Sequence, residues 1–176
     1  KQGSQGPQGP IGALGPQGQK GTTGPQGSPG ATGIVSSSAY LNAFSTLEQT
    51  IKVGDKIALP MRVASNLNDF QPDGNNGFKV KQAGIYWVQF HVNKQQGMPM
   101  QLSLYINGAA VPGLAGGQNG GEFYIEFFAL VPLNANDVVT LVCTGLSGSS
   151  AVLVNDFGGP KTTRSANLIL MRICDE

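Results

Sequence analysis

One imidazole, two thiols and ten carboxylates are the groups that could carry chemistry in this chain of 176 residues. His91 is the only histidine, which excludes a multi-histidine metal site within one chain. A general base needs a nucleophile and an orienting group within hydrogen-bond reach. No Gly-x-Ser-x-Gly elbow or similar motif accompanies His91, so no catalytic role is expected for it. It falls with Gln89 and Asn93 on one face of an alternating run, opposite Tyr86, Val88 and Phe90, which suits a polar-face or subunit-interface residue. The acids (Glu48, Asp55, Asp69, Asp73, Glu122, Glu126, Asp137, Asp156, Asp175 and Glu176) do not have EF-hand spacing. Cys143 and Cys174 are too few for a disulfide framework. Free thiols are the default expectation, with one bond between them or an interchain bond through Cys174 as alternatives. The stretches 112–121 and 145–150 are Gly-rich, but neither contains the Gly-x-x-x-x-Gly-Lys-Ser/Thr phosphate cradle. They read as flexible connections. The chain is therefore not expected to be an enzyme.

The elements that must position these residues come in two kinds. Eleven of the 26 Gly and five of the 11 Pro fall in the first 33 residues. Gly3, Gly6, Gly9, Gly12, Gly15, Gly18, Gly21, Gly24, Gly27, Gly30 and Gly33 recur without a gap, giving eleven Gly-X-Y triplets that end at Val35. Three polyproline-II chains wound together leave room only for Gly at every third position, so the period predicts a collagen triple helix over residues 1–35. A flexible Gly-rich linker has no reason to keep the period. The prediction requires three chains, hence a homotrimer, and a rod of roughly 100 Å. Three copies of His91 meeting near the trimer axis, to bind a metal or sense pH, are then a further reading of that residue.

Pro occupies X at Pro7, Pro10, Pro16 and Pro25 but Y only at Pro29, while Gln fills Y at Gln5, Gln8, Gln17 and Gln26. Such Gln- and Thr-rich Y positions resemble the collagen-like proteins of bacteria and phages. Imino content is modest, so a trimeric head is expected to clamp and register the rod. Thr22, Thr23 and Thr32 point outward on such a rod, as solvated filler or as O-glycan attachment sites. No Asn-X-Ser/Thr sequon occurs.

From residue 36 the period of three stops. Short runs follow at Gly84–Asn93, Met100–Ile106, 122–131, 138–144, 151–154 and Ala166–Cys174, several with strict alternation. Turn signals such as Asn76-Gly77 and Asn107-Gly108 separate them. Period two over short runs predicts an all-β sandwich or barrel across 36–176. Residues 39–48 fit a short helix or a first strand. With 12% charged residues and a net charge of +1, the chain offers no basic stripe for nucleic acid. The longest apolar run is five residues, 127–131, so no membrane span is expected. Low surface charge suits a head that packs against its own copies. Tyr86, Trp87, Phe90, Phe123, Phe127 and Phe128 are the candidates for its core or intersubunit seam. No signal peptide is visible, and Lys1 stands inside a repeat, so a fragment or processed form is expected.

A collagen stalk followed by an all-β head resembles the complement component 1q and tumour necrosis factor superfamily. Phe78, Gly84-Ile85-Tyr86, Val88 and Phe90 carry the likeness, with Val88 where the family has an aromatic residue. So do Leu102-x-Leu104-x-Ile106-Asn107-Gly108 and Leu133-x-x-Asn136-Asp137-x-Val139-x-Leu141, in which Asn136 replaces a family Gly. The resemblance implies a ten-stranded jelly roll packed as a tight trimer. Some members carry calcium near the trimer apex, where Asp69 and Asp73 could supply oxygens; solvated loop acids are the plainer reading, and no cofactor is expected. Ile106-Asn107-Gly108-Ala109-Ala110-Val111-Pro112-Gly113, Thr144-Gly145-Leu146 and the 166–169 strand are similar to the bacterial collagen-like glycoproteins of the exosporium nap.

That likeness implies a structural filament protein on a cell or spore surface, with an anchor protein as partner. The alternative is an adhesin or pattern-recognition head that binds host surface proteins or glycans by avidity, through the stretches 68–76 and 112–121.

Overall fold

The computed structural model describes residues 1–25, 39–64, 68–155 and 163–174. The chain divides into two compact units, Lys1–Thr32 and Gly33–Glu176. In the first, residues 1–25 form neither helix nor strand, and every one is exposed. Within this single chain, no atom lies within 4 Å of a Cβ built on any Gly from Gly3 to Gly24. Nothing in the isolated chain therefore demands glycine at those positions. Gly27, Gly30, Gly33 and Thr32 lie outside the described residues.

The second unit is a two-layer β sandwich, with no helix among the described residues. Ten of its twelve strands form two five-stranded sheets. One runs in the order β3 (Met61–Ala64), β1 (Tyr40–Ser45), β12 (Ala166–Cys174), β6 (Gly84–Asn93), β9 (Tyr124–Leu133). The other runs β4 (Phe70–Pro72), β5 (Gly77–Val80), β10 (Val138–Leu146), β7 (Met100–Ile106), β8 (Ala109–Gln118). A small pair, β2 (Gln49–Ile51) with β11 (Ala151–Leu153), completes the set. All pairings are antiparallel.

The core lies between the sheets. β6 buries every second residue from Gly84 to Val92 and leaves the residues between them half-buried. Tyr86, Val88 and Phe90 thus face Leu168 and Leu170 of β12 and Leu102, Leu104 and Leu141 of the second sheet in one buried cluster. Each such large apolar side chain contributes about 1.5–3 kcal/mol on burial. Phe70 packs edge-on to Tyr86 at 6.3 Å, and the Tyr86 hydroxyl donates to the Gln82 carbonyl at 2.7 Å. That bond lets a phenol sit in an apolar layer without an unmet polar group.

The turns behave as their residues require. Asn76, Asn107 and Asn136 have φ of 59°, 52° and 75°. Asn136 therefore fills the left-handed position for which the superfamily pattern has Gly. The Asp137 carboxylate accepts from the Asn107 amide (2.7 Å) and from Asn134 N–H (2.8 Å), and Asn107 Oδ1 accepts from Val138 N–H (2.9 Å). The two turns at that end of the sheet are clasped together.

Of the two readings of 39–48 the strand holds: β1 lies there, with Leu41 and Ala43 fully buried against β12. Two expectations need correction. The Gly-rich stretch 112–121 is not simply a flexible connection. β8 continues to Gln118 in register with β7, Met100 opposite Gln118 and Leu102 opposite Gly116. Pro112 and Gly113 fit where the β7–β8 register shifts, on an edge strand that tolerates them. β10 likewise continues to Leu146, past the expected start of a loop at 145.

Candidate functional site: an apolar sheet face

The residues on the outward face of the β3-β1-β12-β6-β9 sheet are unlike those of an ordinary solvated surface. Outward positions of β9 are Tyr124, Glu126, Phe128, Leu130 and Pro132, all exposed. Phe128 and Leu130 are each 60% exposed. Phe128 stacks on Trp87 of β6, ring centroids 5.3 Å apart and planes 14° from parallel. Leu130 lies opposite Trp87, Met171 of β12 lies on Trp87's other side, and Tyr40 of β1 pairs with Met171. Tyr40, Met171 and Leu130 are exposed, so one apolar band crosses four strands in register. Contiguous apolar surface of this kind marks an interaction site.

A polar patch adjoins the band. Gln89 donates to Glu126 Oε1 at 2.7 Å. His91 stacks on Tyr124 at 5.2 Å, and its Nε2 lies 2.9 Å from Asn93 Oδ1. Asn93 Nδ2 in turn donates to the Arg164 carbonyl at 2.7 Å. The Arg164 guanidinium lies 4.2 Å above the Phe44 ring and donates to Asn42 Oδ1 at 3.2 Å. Asn167 Oδ1, on the strand beside His91, is buried and accepts no hydrogen bond. A buried acceptor without a donor costs about 1–3 kcal/mol.

The outward face of the other sheet is different in kind. It carries Gln71, Lys79, Gln101, Ser103 and Thr144, with the Ser103 and Thr144 hydroxyls 2.8 Å apart. Tyr105, Val138 and Val142 share this face, so it is more polar than the first but mixed.

The structure sorts the sequence candidates. Tyr86 and Phe90 belong to the core, and Phe127 packs on Phe90 at 5.7 Å from the partly buried layer. Trp87 and Phe128 form the outward stack. Phe123 precedes β9 and is exposed. Sequence reasoning missed Tyr40, Leu130 and Met171. The available signal was β9 itself, which holds the longest apolar run and is apolar on both faces.

The remaining candidates sit apart from this face. Cys143 and Cys174 are both free. Burial pushes the Cys143 thiol up, partly offset by the Gly145 backbone. Asp73 Oδ1 accepts from the Asn75 and Gly77 amides, both at 2.7 Å, and so shapes the β4–β5 turn. Asp69 accepts from Gln82 at 3.2 Å. Among the described residues no three His, Cys, Asp or Glu side chains cluster as metal ligands. Thr22 and Thr23 are exposed. Lys94, which the sequence did not single out, is fully buried at the end of β6, its ammonium donating to the Glu122 carbonyl at 2.6 Å.

Residues 41–173 match the family profile of the BclA C-terminal domain. The chain belongs to this family. In structure the BclA C-terminal domain is similar to the globular domain of zebrafish complement 1qA. The TM-score is 0.53 and the identity 12%, with 78% of this chain and 99% of that one covered. It is also similar to Eiger TNF from S. frugiperda (0.51, 10%, 78% and 92%) and to rabbit GITRL (0.50, 12%, 78% and 96%). At such identities the likeness establishes the jelly-roll fold. No curated protein matches the sequence. The BclA C-terminal domain is the head of a collagen-like exosporium surface protein. No helix among the described residues is long and apolar enough to cross a membrane.

Proposed function

We propose that the chain is a homotrimeric surface-filament protein. Residues 1–35 are its collagen-like stalk, displayed from a spore or cell surface, and residues 36–176 are the head that trimerises and registers that stalk. The observation that carries this reading is the apolar band of Trp87, Phe128, Leu130, Met171 and Tyr40, left open on one side of a single head. Three copies related by one axis would cover these bands, as closed cyclic symmetry allows. The stalk supports the same stoichiometry. From Gly3 to Gly24, glycine at every third position has no steric cause inside one chain but would have one at the axis of three. The stalk gives reach, with Thr22, Thr23 and Thr32 outward as attachment points for O-glycans. An anchor protein on the spore surface is the further partner of this reading.

Sedimentation equilibrium of the whole chain tests the proposal, with Phe128→Glu as the probe of the band. Wild type is expected at three chain masses and Phe128→Glu at one, with far-ultraviolet dichroism of the head preserved. A monomeric wild type, or a trimer that Phe128→Glu leaves intact, overturns the assignment of this face.

A further inference from the structure

On the polar side of the sandwich, Gln101 of β7 occupies an unusual position. Its register partner on β8 is Gly117 and its register partner on β10 is Gly145. No neighbouring side chain therefore flanks its amide on either strand. The result is an open recess of about 500 Å³ bounded by Pro99, Gln101, Gln118, Asn119, Leu146 and Ser147.

The two glycines have different status. Gly145 stands where the β10–β7 register shifts, so a bulge accounts for it. Gly117 has no such reason. It does not have a positive φ, and a Cβ there would meet nothing closer than the Met100 carbonyl at 3.4 Å, an ordinary contact. Its neighbour Gly116 is explained by packing, since a Cβ there would press on Ile125 at 3.1 Å and Phe90 at 3.3 Å. Gly inside a strand weakens it, and without a bulge or a packing need it leaves the strand surface open to the close approach of a ligand or of another backbone.

The chemistry of the recess narrows the ligand. None of its lining residues is charged. Among the described residues, the side-chain amides of Gln101, Gln118 and Asn119 make no hydrogen bond, so each offers two donors and an acceptor to an incoming group. A sugar hydroxyl is likewise donor and acceptor at once. Half-buried Pro99 and Leu146 supply apolar surface for the C–H face of a pyranose ring. An anion or a cation would find no countercharge, and an apolar helix would find no groove. Volumes of about 300–1,000 Å³ are usual for small-ligand sites.

We propose that the recess centred on Gln101, between Gly117 and Gly145, binds an uncharged carbohydrate. It lies on the sheet face opposite the apolar band. The proposal is independent of the trimer: a single head carries the whole recess, and three copies would add avidity.

The test uses the whole chain passed over beads carrying mannose, galactose, glucose or N-acetylglucosamine, with N-acetylneuraminic acid as the charged comparison. Wild type is expected to be retained by at least one neutral sugar and released by the same sugar free in solution. Gly117→Val fills the recess with a residue suited to extended backbone, and Gln101→Leu removes the central amide at similar volume. Both should weaken retention at least tenfold while melting temperature and sedimentation mass stay as in wild type. If Gly117→Val proves unstable, Gln101→Leu carries the test alone. Retention of none of the four neutral sugars, retention only by N-acetylneuraminic acid, or undiminished binding by a folded variant overturns the proposal. A monomeric wild type that still binds would overturn the trimer reading and leave this one intact.

Discussion

Asn136 shows how a residue departure can be read physically. It holds a left-handed φ of 75°, where the superfamily pattern has Gly. Asn136→Ala is expected to cost about 1 kcal/mol, because a Cβ without a local polar partner is disfavoured there by about 1–2 kcal/mol. Asn136→Gly should be close to neutral. Urea unfolding of both variants checks the pair. Gly84 is a harsher case: with φ of 151°, a Cβ would lie 2.4 Å from the Cys174 carbonyl. Gly84→Ala should fall at or above the upper end of the usual range of about 0.5–3 kcal/mol for destabilising point changes. Lys94 concerns charge. Burial holds its ammonium below the usual lysine range, with Glu122 opposing in part. The unfolded chain then binds more protons than the fold between the lowered value and 10.5, so this group makes stability rise with pH across that window. Tyr86 and Cys143, both raised by burial, act oppositely above 10.0 and 9.0 respectively. The difference between wild type and Lys94→Met isolates the lysine: wild type should gain stability relative to the variant as pH rises toward 10.5. A flat difference would mean that the folded ammonium titrates normally. Nothing in the sequence separates Lys94 from the other ten basic side chains, because its burial arises from the Glu122–Phe123 backbone folding over it.

Among the elements, legibility followed the source of each strand's stability. β6, β7 and β12 show period two in their own side chains, and their expected bounds coincide with the structure. β8 does not, because its Gly-rich edge is held by hydrogen bonds to β7 rather than by a buried side-chain stripe. β2, β3, β4 and β5 have three or four residues each, too few for any period to show. The same logic applies to the candidate site. Alternation separates inward Tyr86 and Phe90 from outward Trp87, yet it does not say that an outward aromatic will find a partner. That comes from the β6–β9 register, which sets Phe128 beside Trp87. The strand-level expectation is that Phe128→Ala lowers the stability of an isolated, diluted head by less than about 1 kcal/mol, since aromatic pairs contribute about 0.5–1.5 kcal/mol and this one is largely solvated. Its effect on assembly should be much larger. Chemical unfolding at several protein concentrations separates the two: wild-type midpoints should climb with concentration, and those of Phe128→Ala should not.

At the scale of the whole molecule, the two units obey different rules and should fail separately. The head holds itself together by burial between two sheets within one chain. The stalk has no buried residue within one chain over residues 1–25, so whatever order it has must come from other chains. In the proposed triple helix its glycines would act by sterics alone, with no hydrogen bond or charge to compensate an added methyl. In the proposed triple helix, Gly18→Ala would place three methyl groups at successive levels of the axis, midway along the eleven triplets. The expected outcome is a lowered first transition in thermal dichroism near the polyproline-II maximum. The β-sheet signal of the head should melt at the wild-type temperature. A control at an outward position, Gln17→Ala, should move the first transition much less, because Y side chains face solvent. If Gly18→Ala and Gln17→Ala shift it equally, the period is not read at a crowded axis and the triple-helical assignment fails. If the head melts lower as well, the two units are coupled, and registration by the head is then matched by support from the stalk.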